Sequence, residues 1–136
     1  MRKNLIHLMP ALLFACAMPL AAQAAEGSAA ASKQVATATA HAGMALGATD
    51  VNMVHTHLHH VINCLVGPSG ADFDGSAGNP CKDMGHGAIA DAKGDVAVEG
   101  KLHAAVHEAK QGLQATKLEG AHVDAQKVLS TLQKAK

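Results

Sequence analysis

Aromatic side chains are almost missing from this chain: it has no Trp, no Tyr and only two Phe, at positions 14 and 73. Stacking platforms for bases are therefore lacking. The formal net charge is zero, so there is no basic footprint either, and nucleic acid is not an expected partner. A porphyrin would find little ring surface to pack on, and no C-x-x-C-H run offers covalent haem attachment. Enzyme signatures are absent as well: there is no nucleophile elbow, P-loop, H-E-x-x-H or paired-carboxylate motif. His107-Glu108 stands alone, and Glu99 precedes His103 by four residues rather than the three of a di-iron Glu-x-x-His motif. A long unbroken apolar run is missing too. Leu5 to Leu20 is interrupted by His7, Pro10 and Pro19, whereas a membrane span needs about 20 apolar residues. No basic amphipathic face suggests a membrane-surface helix.

What the amino terminus has is a leader pattern. Arg2 and Lys3 precede the apolar stretch, and Ala22-Gln23-Ala24 fits the small-x-small rule for cleavage between Ala24 and Ala25. Residues 1–24 are thus expected to be a signal peptide and 25–136 a single domain working in the periplasm. A lipoprotein cut before Cys16 is the rival, with Phe14 fitting that box poorly. Removing 1–24 leaves 112 residues with nine Lys against eleven acidic groups, and nine His.

Two cysteines then remain, Cys64 and Cys81. In an oxidising compartment an even pair is expected to form a disulfide, closing a loop of about 18 residues worth about 3 kcal/mol on the chain-entropy model. A pair of thiolate ligands for a soft metal is the alternative.

The periodicity predicts an all-α domain. Residues 25–32 are small and polar and read as a flexible start, followed by an Ala-rich helix over 33–46 ending near Gly47. Thr49 or Asp50 can cap a second helix over 50–66, where Val51, Val54, Leu58, Val61, Ile62 and Leu65 form one apolar stripe before Gly67-Pro68 stops it. Residues 67–95 form a long Gly/Asp/Pro/Ser-rich connection, with one helical turn over 87–92. Its Asp72-Phe73-Asp74-Gly75-Ser76 run lacks the glycine position and twelfth-place Glu of a calcium loop. Helices over 96–116 and 121–134 follow, with a break at Glu119 to Ala121. The expected architecture is an antiparallel four-helix bundle with a long, disulfide-stapled loop between helices 2 and 3.

Histidine is what the chain has in excess. His55 and His59 are spaced i, i+4, as are His103 and His107, so each pair shares a helix face on which two imidazoles can converge on one ion. Together the pairs would supply four nitrogen ligands, suited to Cu(II), Ni(II) or Zn(II). His57, His60 and Cys64 make a second constellation, on the side of Met53. On a helical wheel the histidines of 50–66 flank the apolar stripe on both sides, which suits rim sites where metal loads and leaves. His41, His86 and His122 stand singly and read as surface or satisfied residues. Met44, Met53 and Met84 could assist Cu(I), or fill gaps in the core. Since imidazole ligates only when deprotonated, affinity should fall as pH drops through about 6.5.

The stretch from His103 to Ala135, with His103, His107, Glu108-Ala109-Lys110 and Glu119-Gly120-Ala121-His122, resembles the bacterial periplasmic small metal-binding proteins. Gln126 and Leu129 depart from that pattern, which would often place histidine there. The resemblance implies a His-rich four-helix bundle that binds copper, nickel or zinc reversibly, and adds His122 to His103 and His107 as candidate ligands. The expected function is therefore non-enzymatic handling of divalent transition metals, with metal ions as partners and a periplasmic protein partner left open. The alternatives are a noncovalent haem-binding bundle, and a structural or partner-binding bundle whose histidines are incidental.

Overall fold

The computed structural model describes the backbone of residues 20–136 and the side chains from Ser28 onward. The leader expected over 1–24 falls largely outside these residues, as does Cys16. The described chain is all-helical, with no strand among the described residues. It comprises α1 (Leu20–Gly47), α2 (Val51–Val66), α3 (Ala88–Asp91), α4 (Val96–Gly112) and α5 (Leu118–Gln133), with a single 3-10 turn at Gly75–Ala77. No described helix is long and apolar enough to cross a membrane.

The second helix forms where its stripe demands. Asp50 is the N-cap, its carboxylate accepting from the Met53 N–H at 2.9 Å. Val54, Leu58, Val61, Ile62 and Leu65 are buried along one face. Gly67 closes it with φ 69°, a conformation that favours glycine. There the chain passes very close to its own later segment: a Cβ on Gly67 would collide with the His86 carbonyl, and one on Gly87 would lie 2.5 Å from the Val66 carbonyl carbon. The two glycines let two backbones cross at the end of α2.

Two expected boundaries move. Residues 25–32 are not a flexible start but part of α1, where Ala31 is buried against the core. High alanine propensity outweighs the Gly and Ser residues there. The break between the last two helices lies at 113–117, not at Glu119 to Ala121. Gly112 ends α4 where it crosses α2, since a Cβ on it would stand 2.5 Å from Leu58 Cδ1. Lys117 is extended and caps α5, and Gly120 is carried inside that helix because Ala121, Ala125, Val128 and Leu132 bury the face beyond it.

The core is shared by α1, α2, α4 and α5. Leu58 and Leu65 of α2, Leu102 of α4 and Leu132 of α5 supply its largest side chains, while α1 contributes Ala31, Val35, Ala38, Ala42 and Ala45. Helix separation follows the side chains at the contact, so this small-residue face lets α1 lie close to its neighbours.

Cys64 and Cys81 form a disulfide, with Cα atoms 5.2 Å apart. It fastens the connection of residues 67–95 to the end of α2. Asn63 does the same by hydrogen bonding. Its buried amide donates to the carbonyls of Asp74 and Gly78, both at 2.7 Å, and its Oδ1 accepts from the Asp74 N–H at 2.9 Å. Gln34, buried in α1, donates to Asp91 Oδ2, which also accepts from the His86 N–H. The long connection is thus held by a disulfide and two buried amides.

Candidate metal centre

His41 stands six residues before Gly47, the end of α1, and His57 stands six after Val51, the start of α2. Across a three-residue link, this places them level with each other, and the Ala38, Ala42 and Ala45 face brings the two helices close enough for their rings to touch. His60 follows one turn further along α2. The result is a cluster of three half-buried imidazoles. His41 Nδ1 lies 3.2 Å from His57 Nδ1 and 3.3 Å from His60 Nδ1, and one ligand atom from each ring lies within 4.8 Å of the others. Among the described residues this is the one group of three or more His, Cys, Asp or Glu side chains close enough to hold a metal ion.

The proton inventory explains what such a cluster is suited to. His60 Nε2 lies 2.8 Å from the Ala77 carbonyl. A carbonyl can only accept, so Nε2 carries the proton, and the Nδ1 of neutral His60 presents a lone pair to His41. His41 Nδ1 faces two ring nitrogens and has at most one proton to offer between them. Hydrogen bonds among the three rings therefore cannot satisfy all three Nδ1 atoms while the rings are neutral. A cation can. Ligands at about 2.0–2.1 Å from a tetrahedral ion stand about 3.3–3.4 Å from one another, close to the two separations around His41. The Ala77 carbonyl then acts as the outer partner that fixes the His60 ring and its tautomer.

The electrostatics agree. His41 is pushed down to about 4, first by burial and then by the neighbouring His60 and His57. His57 is lowered as well, first by burial and then by His60. Both rings are neutral at neutral pH and need lose no proton to take a metal. Acid should therefore displace metal from this centre at a lower pH than from an ordinary imidazole. The same shift sets the stability of the metal-free protein. The folded value of His41 lies below the unfolded value of 6.5, so the unfolded chain binds more protons between the two. Stability is full above about pH 6.5 and declines as pH falls toward about 4. Urea unfolding between about pH 7 and about pH 5 should show this slope, and His41→Ala should flatten it. An equal slope in the two proteins would contradict it.

The other candidate ligands are dispersed. His55 Nε2 donates to the Ala115 carbonyl at 3.0 Å, and His122 Nε2 donates to the Ala48 carbonyl at 3.0 Å. Each is the fifth residue of its helix and reaches the link of the opposite hairpin, so the two form reciprocal ties between α1–α2 and α4–α5. His59 Nδ1 lies 3.7 Å from Asp74 Oδ2, an ion pair only when that ring is protonated. The Asp74 carboxyl is itself lowered, chiefly by hydrogen bonds from Ser76. His103 and His107 are exposed on α4. The structure does not gather His55, His59, His103 and His107 into one group. Of the constellation His57, His60 and Cys64, it keeps the two histidines and commits the cysteine to the disulfide. His86 is exposed beside Asp91.

His41 is the member that sequence reasoning missed, because it stands singly on its helix. Its equal distance with His57 from the link was the available signal. Asn63, which positions the loop bearing Ala77, was missed as well; a lone amide inside the run Val61-Ile62-Asn63-Cys64-Leu65 was the clue.

No family model matches the chain, and neither the curated proteins nor the solved structures contain a match.

Proposed function

We propose that this protein is a periplasmic, non-enzymatic metal-binding protein that reversibly holds one divalent transition metal ion, copper, nickel or zinc, at His41, His57 and His60. The observation that carries this reading is the convergence of three imidazoles, with His41 Nδ1 within 3.2 and 3.3 Å of the His57 and His60 Nδ1 atoms, whose needs the rings cannot all meet among themselves. Three protein ligands leave a coordination position open, unlike the closed four-ligand arrangement of structural sites. The partial exposure of the three rings fits ready loading and release, as a buffer or carrier requires. Export through the leader of residues 1–24 fits a chain whose disulfide needs an oxidising compartment. The four long helices, joined by short links within each pair, would form an antiparallel bundle, consistent with the resemblance to periplasmic small metal-binding proteins.

Calorimetric titration with Cu(II), Ni(II) and Zn(II) tests this. At least one of these ions should bind at one equivalent and well below about 1 mM. Failure of all three to do so would sink the proposal and favour a bundle whose histidines serve packing alone.

A further inference from the structure

Four large hydrophobic side chains are exposed among the described residues, and two of them stand on the helices that carry the imidazole cluster: Met44, 50% exposed, and Met53, 46% exposed. Met44 follows His41 by three residues on α1, and Met53 precedes His57 by four on α2. Because the two helices run oppositely from their link, both steps lead the same way, toward the link, by about 4.5 and about 6 Å at 1.5 Å per residue. At about 100° per residue, Met44 is turned about 60° from His41 and Met53 about 40° from His57. Each thioether therefore shares a face with a triad histidine, at the spacing where Cβ atoms stand about 5–6 Å apart.

Neither side chain is buried in the core, so both thioethers stay accessible to an ion. Met84 is different: it is partly buried, and its sulfur accepts from the Thr37 hydroxyl at 3.6 Å. Met44 and Met53 are long, unbranched and free to swing, and their sulfur is soft. Thioether sulfur selects Cu(I), whereas imidazole alone serves Zn(II), Ni(II) and Cu(II) equally in kind.

We propose that, besides the divalent ions held by the imidazoles alone, the centre takes monovalent copper, with Met44 and Met53 extending it into a mixed imidazole–thioether site that distinguishes copper from zinc and nickel. This rests on the triad being a metal site. Binding needs no electron transfer, because the ion arrives as Cu(I) and leaves as Cu(I). The nitrogens would hold the ion from the helix side and the two sulfurs would approach from the solvent side, toward the link.

The test uses the full chain and its Met44→Leu/Met53→Leu double variant, which conserves side-chain volume at an exposed position. Cu(I) affinity is read anaerobically by competition with a chromophoric Cu(I) chelator, and Zn(II) affinity by calorimetry. The expected result is a loss of Cu(I) affinity on the order of tenfold or more, with Zn(II) affinity unchanged to within about twofold. X-ray absorption on the Cu(I)-loaded protein should show a sulfur shell that the variant lacks. Cu(I) affinity unchanged in the variant, or an equal fall for both ions, would overturn the thioether assignment while leaving the triad standing. Failure of the unaltered chain to bind either ion would overturn the triad, and this assignment with it.

Discussion

Alanine at His41, His57 and His60 together should abolish tight binding of Cu(II), Ni(II) and Zn(II) while leaving the helical content unchanged. The three rings supply every close ligand atom of the cluster, and among the described residues no fourth His, Cys, Asp or Glu joins them. Loss of His41 alone should already weaken binding by at least on the order of 100-fold, since its Nδ1 is the atom shared by both short separations. The fold has little to lose at these positions. The rings are only partly buried, and neutral His41 cannot satisfy both neighbours, so at about pH 7, where His41 is neutral, His41→Ala should change unfolding free energy by less than about 1 kcal/mol. The control is His103→Ala/His107→Ala, which alters two exposed rings on α4 and should leave the affinity as it was. If that pair accounts for the binding and the triad does not, the site lies elsewhere.

The second large effect is expected at a residue that touches no metal. Asn63→Ala removes an amide that is 1% exposed and makes three hydrogen bonds to the loop. The Asp74 N–H and two loop carbonyls would lose their partner, and leaving buried polar groups unpaired costs about 1–3 kcal/mol each. Some relaxation toward water is open to a loop, so a total of about 2–4 kcal/mol is the expected destabilisation in urea. The more telling consequence is on metal. The segment that Asn63 anchors, Asp74 to Gly78, carries the Ala77 carbonyl that holds the His60 proton on Nε2. Freeing that segment should lower metal affinity by about 10- to 100-fold, the range found when an outer partner of a ligand histidine is removed. Because the Cys64–Cys81 disulfide still ties the loop to α2, the variant is expected to fold. A destabilised variant with unchanged affinity would separate the loop from the centre.

The parts of this molecule that were legible in the sequence are those whose cause is local. Val54, Leu58, Val61 and Leu65 announce α2 by their spacing, Thr49-Asp50 announces its start, with Asp50 taking the cap, and Gly67-Pro68 announces its end. Two cysteines in a chain with a leader pattern announce their pairing. The boundary of α1 was less legible, because Ala, Ser and Gly over 25–32 satisfy a flexible segment as well as a helix until Ala31 is seen packed in the core. The break before α5 was misplaced for a similar reason. Gly120 marks a weak point in propensity, but burial of Ala121 and Ala125 outweighs it, and the chain turns instead after Gly112, where Leu58 leaves no room for a Cβ.

The imidazole cluster was only partly legible. An excess of histidine on α2 pointed to imidazole ligation, and His57 and His60 are two of the three clustered rings. Spacing along one helix cannot reveal a partner on another. Pairs such as His103 and His107 satisfy the i, i+4 rule without meeting a third ligand, whereas His41 meets two because of the register of α1 against α2. His55 looks like a ligand by its spacing and His122 by the family resemblance, yet in three dimensions they tie one hairpin to the other's link.

Nitrogen-resolved NMR of the imidazole side chains during titration with Zn(II) is the most direct measurement of the central claim. The side-chain nitrogens of His41, His57 and His60 should change together and be complete at one equivalent, with Nδ1 as the ligating atom of His60. Those of His55, His103, His107 and His122 should hold their positions. A change confined to His103 and His107, with the three clustered rings unmoved, would contradict the account.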